Sequence, residues 1–361
     1  MGIGSASFLA YAGHEVPTSL LPSFLTSTLG APAAVLGLIE GIADALAGWP
    51  GSAVARSAVG DYSATAVLSA AIGAATSAVQ VGLLRAGAWT ARGLRVPAGN
   101  ALLADAVAPE HYGRAYGFER AMYNLGAIAG PLLALGLVAA VGVRNAILLS
   151  VLPGLLATVA IIYAIRHLPR AEPRPPRRLW LHVRQVLATP LRRLAPGITL
   201  FELGNVAATL LILRATELLT PARGLDGATT TALILYVTYN GAATFASFPA
   251  GRATDRRGSL AVLTIGVALF GAAYLGLAVT GPSLVGLAGC FVAAGITIGC
   301  VETAEHTAVA AHAPDAVRGS AFGLLAAVQA FGNLVASGIA GLLWTLVSPT
   351  AAFGFVTALI R

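Results

Sequence analysis

Glu302, Glu305 and His306 stand at i, i+3 and i+4 of an apolar stretch, so on a helix they occupy one turn of one face. Two carboxylates and an imidazole placed this way suit a proton relay, a gate of ion pairs, or structural pairing with cations. As a metal site the set is incomplete, because metal centres draw on several elements and no Cys or Asp group joins it. Glu40 and Asp44 share a face at i, i+4. Arg85, Trp89 and Arg92 follow i, i+4, i+7 and make one cationic, aromatic stripe, which Arg95 extends. His14 and Glu15 are adjacent, with Pro17 two residues on, and Glu202 and Asn205 lie one turn apart. No nucleophile elbow, phosphate-binding glycine loop or Cys/His metal spacing occurs, so the expectation is a non-enzyme without cofactor or metal.

These groups must be positioned by elements that live in lipid. The chain is 57% hydrophobic and 10% charged, with mean hydropathy +0.80. Soluble domains carry roughly 25% charged residues. A chain of 361 residues cannot hide so much apolar surface in one water-soluble core. The net charge of +7 would suit nucleic acid, but its distribution does not. All the basic residues are Arg, and eight of the 22 fall between Arg166 and Arg193. That is a topology signal, and no nucleic-acid partner is expected. Cys290 and Cys300 lie ten residues apart in one span, roughly 15 Å on a helix, too far for a disulfide. No cleavable leader is expected before the first span.

Apolar spans are expected at roughly 3–29, 32–50, 62–79, 82–106, 114–140, 144–166, 197–219, 228–250, 259–281, 284–310, 318–345 and 349–361. This gives an all-α membrane protein of twelve transmembrane helices, the third and twelfth short. Residues 1–166 form one six-helix bundle and 197–361 a second. The Pro- and Arg-rich stretch 167–196 is a cytoplasmic linker, partly an amphipathic segment at Leu179–Arg184. With the N-terminus in the cytoplasm, the internal loops and the C-terminus collect about fifteen arginines and the external loops only Arg144 and Arg223. The halves also repeat. Pro109–Gly117 parallels Pro314–Gly323, Gly117 and Gly126 recur as Gly323 and Gly332, and Gly51 stands 200 residues before Gly251.

The turn Gly251-Arg-Ala-Thr-Asp255-Arg256-Arg257-Gly258 resembles the cytoplasmic signature loop of the major facilitator superfamily. Leu36-Gly-Leu-Ile-Glu40-Gly-Ile-Ala-Asp44, Asn100–Asp105 and Arg318–Gly323 resemble stretches of bacterial exporters of that family. Gly126-Ala-Ile-Ala-Gly130-Pro131 in the fifth span is similar to its antiporter motif. The resemblance implies two pseudo-symmetric bundles, secondary transport by alternating access, and a loop that latches one conformation. It further implies a monomer in the bacterial cytoplasmic membrane. Its partners would be protons, membrane lipids and a small-molecule substrate seated between helices one, four, seven and ten. Proton-coupled export of a small organic or drug-like molecule is the leading expectation. A lipid or amphiphile flippase of the same fold and a non-transporting scaffold or sensor are the alternatives. There is a departure: Ala55 stands where the first-half copy of the loop has Asp in the family.

An ionisable side chain at bilayer depth costs about 2.5–3.5 kcal/mol, so each needs a partner or a cavity. Glu15 reads either as a proton carrier or as a structural partner of a fourth-span arginine. Glu40 reads as a second proton site or a packing anchor. His14, Arg85, Trp89, Arg92, Glu202, Asn205 and Glu302 are the candidate substrate-cavity residues. Arg85 stands where the resemblance places the family's fourth-span arginine, and Glu302 and Glu305 match its acidic tenth-span stretch. Asp44, Asp105, Arg114, Glu119, Arg120, Gly251, Asp255, Arg256, Gly258, Glu305 and Arg318 are the expected gate and latch.

Overall fold

A computed structural model describes residues 2–31, 35, 39, 42, 43, 46, 58–167, 186 and 189–359. Every regular element among them is helical. Helix α1 runs Gly2–Ser23 and continues as a π-helical turn Phe24–Thr28. It is followed by α2 (Ala58–Ala71), α3 (Ala78–Asp105), α4 (Tyr112–Leu149), α5 (Val151–His167), α6 (Ala195–Glu202), α7 (Ala208–Arg257), α8 (Ser259–Val279), α9 (Leu284–His312), α10 (Arg318–Leu346) and α11 (Pro349–Leu359). Among the described residues, four stretches are long and apolar enough to cross a membrane: Pro109–Leu149, Ser259–Val279, Leu284–His312 and Arg318–Leu346. Glu40, Asp44, Gly51, Ala55 and nearly all of the linker lie outside the described residues.

Local chemistry explains the helix boundaries. Gly142 and Gly224 hold φ of 80° and 69° inside α4 and α7, a left-handed conformation that ends one span and starts the next within a residue. Ser77 caps α3 by accepting from the Gln80 N–H, while the side-chain Oε1 of Gln80 accepts from the N–H of Thr76. Ser283 caps α9 in the same way through the N–H of Gly286. Within the apolar helices, hydroxyls are satisfied by the carbonyl one turn back, as for Thr18 to His14 and Ser247 to Ala243.

The chain forms two compact units. The first holds residues 1–108, 122–186 and 314–327. In it α1 packs on α5, and α2 packs on α3 and α5. Val16, Leu21, Phe24, Ile72, Val81 and Ile147 belong to one buried cluster. Arg144 donates from Nη1 to the carbonyls of Gly73 (3.0 Å) and Ala75 (2.9 Å), closing the turn that follows α2.

The second unit holds residues 109–121, 187–313 and 328–361. Its α9 packs on α7 and α8, and α8 packs on α11. Gly295 and Gly299 of α9 sit against the backbone of α7 at Tyr239 and Ala243, where a Cβ would collide with a carbonyl. Small residues at one-turn spacing allow this approach in lipid, where packing holds helices together. Phe201, Phe270, Tyr274 and Phe353 form a continuous run of ring contacts through α6, α8 and α11. Val79, Leu83, Leu135, Phe245, Val285 and Leu346 are exposed. In water such faces would be a liability, but in a bilayer they are the solvent-facing surface.

Candidate functional site

Two groups of ionisable residues are built, one in each unit. In the first unit the fourth-span stripe lies on α3. The Arg85 guanidinium carbon sits 3.4 Å from the Trp89 ring centroid, and its Nη1 donates to Thr18 Oγ1 at 3.2 Å. Arg92 lies 5.4 Å from both the Trp89 and Tyr11 rings. Its Nη2 is 3.5 Å from the Tyr11 hydroxyl and 3.4 Å from that of Tyr123, and the two hydroxyls share a 2.7 Å hydrogen bond. His14 packs its ring 4.3 Å from that of Trp89. Cation–π contacts of this kind help to hold an arginine in place.

Glu15, half-buried on α1, belongs to the same neighbourhood. Gly130 of the Gly-x-x-x-Gly-Pro motif packs directly on it. A Cβ on Gly130 would overlap the Cβ of Glu15 and press on the Ala12 carbonyl. Gly126, one turn away, packs on Phe8, Tyr11 and Ala12. The motif is therefore the contact surface of α4 for the part of α1 that carries His14 and Glu15.

The second unit contains the counterpart. Gly332, the repeat partner of Gly126, packs on Glu202 of α6. Here the helix breaks. Residues between Glu202 and Ala208 leave helical geometry, and α10 satisfies the freed backbone: Ser337 Oγ accepts from the N–H of Ala207 (2.8 Å), and Asn333 Nδ2 donates to the Asn205 carbonyl (2.9 Å). Asn205 Nδ2 donates to Glu202 Oε2 at 3.0 Å. Broken helices at membrane depth persist only where protein groups replace the missing hydrogen bonds.

Glu202 adjoins Glu305 of α9, which is fully buried. Gln329 Nε2 donates to Glu305 Oε2 at 2.9 Å. Arg120 donates from Nε to Glu119 Oε2 (2.6 Å) and reaches Glu302 at 3.8 Å. His306 holds the Glu302 carbonyl at 2.7 Å through Nδ1, so Nδ1 carries the proton. Its ring lies 5.9 Å from that of Tyr116. Glu302, Glu305 and His306 thus point to different partners, and among the described residues no group of three His, Cys, Asp or Glu side chains is arranged to hold a metal.

The expected latch residues form two separate grips. Asp255 Oδ1 accepts from the main-chain N–H of Gly113 at 2.6 Å, and Oδ2 accepts from the N–H and Nε of Arg114 at 3.1 and 2.9 Å. A carboxylate at the first turn of α4 also meets the positive end of its dipole. Gly251 and Gly113 touch backbone to backbone, and Gly117 lies against the Ser247 carbonyl. Gly258 ends α7 with φ 84°. Arg318 donates to Asp105 at 2.7 Å and also to Asp315. Arg256 follows Asp255 in the last turn of α7 and is exposed. Tyr11, Thr18, Tyr123, Gln329, Asn333 and Ser337 were not singled out by sequence. The signal was present for Gln329, Asn333 and Ser337, polar residues at four-residue spacing in an apolar span.

The family model of the Major Facilitator Superfamily matches residues 3–237 and 217–360. The chain belongs to this superfamily. A relative from Methanocaldococcus jannaschii, described as an uncharacterized MFS-type transporter, is 26% identical over 99% of this chain and 92% of its own. The human organic anion transporter MFSD10 (TETRAN) superposes with a TM-score of 0.70 at 15% identity, covering 99% of this chain and 97% of its own. A bacterial homologue of the iron transporter ferroportin, in its outward-facing state, gives 0.72 at 13% identity over the same shares. At such identities the structural likeness carries the fold alone. The twelve-helix, all-α fold expected from the sequence is that of the superfamily. The protein is a multi-pass membrane protein and a transporter of this family.

Proposed function

We propose that this superfamily member is a secondary active transporter that exports a small organic molecule in exchange for protons by alternating access. The observation that carries this reading is the seat of Glu15. The antiporter-like glycines Gly126 and Gly130 pack on the very turns of α1 that hold Tyr11, His14 and Glu15. The stretch of α4 after the motif's glycines is thereby coupled to an ionisable group among arginines and aromatics. A carboxylate that alternates between a cation-rich setting and water changes its proton affinity, and a pH gradient can then bias the conformational cycle.

The two sequence halves, 1–166 and 197–361, act as the moving bundles joined by the 167–196 linker, with the N-terminus in the cytoplasm. Asp255 with Gly113 and Arg114, and Arg318 with Asp105, are the grips that hold one end state. They consist of a few charge-assisted hydrogen bonds, strong enough to favour a state and few enough to break. His14, Trp89 and Arg92 in the first unit and Glu202, Asn205 and Glu302 in the second are the residues that meet substrate. Glu302, Glu305 and Glu202 form a second store of carboxylates available for protons.

Reconstituted vesicles test this. A compound that raises the unfolding midpoint of the purified protein should be moved uphill by a pH gradient and not by a sodium gradient. Movement that ignores both gradients would end the proton-exchange reading.

A further inference from the structure

Glu202, the last residue of α6, and Glu305 of α9 are 2% and 0% exposed. Each accepts one amide N–H on Oε2: Asn205 Nδ2 donates to Glu202 at 3.0 Å, and Gln329 Nε2 donates to Glu305 at 2.9 Å. The two carboxyls also lie within hydrogen-bond reach of each other, with Gln329 in reach of both. Glu305 Oε1 is buried and has no donor. Gly332 brings α10 so close to Glu202 that a Cβ there would overlap the Glu202 Cβ, so Glu202 has no slack on that side.

The charged groups around the pair do not neutralise it. Among the described residues neither carboxyl is in an ion pair. Arg120 of α4 bonds Glu119 at 2.6 Å and reaches Glu302 at 3.8 Å. Glu302, one turn before Glu305 on α9, adds further negative charge. His306, next to Glu305 in the chain, is held through Nδ1 by the Glu302 carbonyl. From α10 come only the neutral side chains of Gln329, Asn333 and Ser337.

Buried acceptors are rarely left without a donor. Two carboxylates at hydrogen-bond distance do not both ionise. Two amide donors suit one buried negative charge and not two. A proton between the carboxyls supplies the missing donor and removes one charge at once. A metal ion needs more oxygens than this pair offers, and among the described residues no third ligand is placed with them.

We infer that Glu202 and Glu305 share one resident proton, which staples the broken end of α6 to α9. Lost to water, it leaves two ionised carboxylates that repel, and the break at residues 203–207 loosens. This proton refines the carboxylate store proposed above and rests on that reading for its part in transport.

The test is infrared spectroscopy of the full-length protein in detergent at neutral pH, with neither substrate nor gradient. The unmodified protein should show the carbonyl stretch of a protonated carboxyl, shifted in deuterated water. Glu202→Gln and Glu305→Gln should each lose that band, because the new amide N–H donates where the proton had been. Glu15→Gln should keep it. Should Glu305→Gln fail to fold, Glu202→Gln decides. A band that survives either single variant overturns the sharing, as does an unmodified protein without the band. Raising the pH until the band disappears should speed hydrogen exchange at residues 203–208 beyond the intrinsic increase, and in Glu202→Gln or Glu305→Gln exchange should follow the intrinsic increase alone. Exchange that follows the intrinsic increase in the unmodified protein too would overturn the staple. A band that behaves as described in a protein without pH-driven transport would end the exchange reading alone.

Discussion

Asp255, in the last turn of α7, caps the first turn of α4 by accepting the main-chain N–H of Gly113, 142 residues earlier in the chain. The adjacent bond to the Arg114 side chain is of another kind, because that side chain is 53% exposed while Asp255 is 7% exposed. Solvent-exposed ion pairs contribute about 0–1 kcal/mol, whereas hydrogen bonds to a charged group in a sheltered place contribute about 1.5–3 kcal/mol. The cap therefore outweighs the salt bridge.

This ranking gives the first prediction. Asp255→Asn should shift the conformational equilibrium about tenfold or more toward the state in which the grip is open, and Arg114→Gln by only about fivefold or less. The measurement is maleimide labelling of Ser247→Cys, a buried position beside Gly117, with the two free cysteines Cys290 and Cys300 replaced by Ala. Equal labelling in the two variants would show that the cap does not hold the state.

The second prediction concerns the seat of Glu15. Gly130→Ala should overpack α4 against α1 and lower stability by about 1–3 kcal/mol. Gly136→Ala, on the same helix with open space around it, should leave the unfolding midpoint nearly unchanged. Thermal unfolding of the two variants side by side provides the comparison. A similar loss in both would mean that the close approach to Glu15 does not govern the effect, since Ala favours the helix over Gly at either position.

The break after α6 yields the third. Ser337→Ala leaves the Ala207 N–H without its acceptor, and Asn333→Ala leaves the Asn205 carbonyl without its donor. Each should destabilise the protein by about 1–3 kcal/mol, with faster hydrogen exchange at residues 203–208. Exchange unchanged in both would show that α10 does not maintain the break.

Orientation can be read directly. Reporter fusions near Pro175 and after Arg256 should report the cytoplasm, and one near Asp226 the outside. An external signal at Pro175 would reverse the topology and the placing of both grips on the cytoplasmic side.

The position of Asp255 in a glycine-flanked, arginine-rich turn after a span was legible in the sequence, whereas its bond to the main chain at Gly113 is seen only in the structure. Equally legible was the twelve-helix, all-α architecture, because length and hydropathy decide it. The Glu202–Ala208 break was not. Gly204 and Asn205 lie in a run that reads as one continuous span, and a single Gly costs a helix only about 1 kcal/mol. What breaks it is Asn333 and Ser337, more than 120 residues away. Partner identity was hidden for the same reason. Asp105, Arg114, Glu119 and Arg120 were expected among the gate and latch residues without named partners, and the structure pairs Asp105 with Arg318, Arg114 with Asp255, and Arg120 with Glu119, Arg120 also reaching Glu302. Charge and depth are properties of sequence, but the choice among neighbouring opposite charges is made by tertiary packing.

The most direct measurement is uphill transport by Glu15→Gln in inside-out vesicles with an acidic lumen, using a compound that stabilises the purified protein. The unmodified protein should accumulate the compound against its gradient. The Gln variant should lose that accumulation while still binding the compound and exchanging it without a gradient. Full pH-driven accumulation by Glu15→Gln would contradict the assignment of Glu15 and move the proton to Glu202, Glu302 and Glu305.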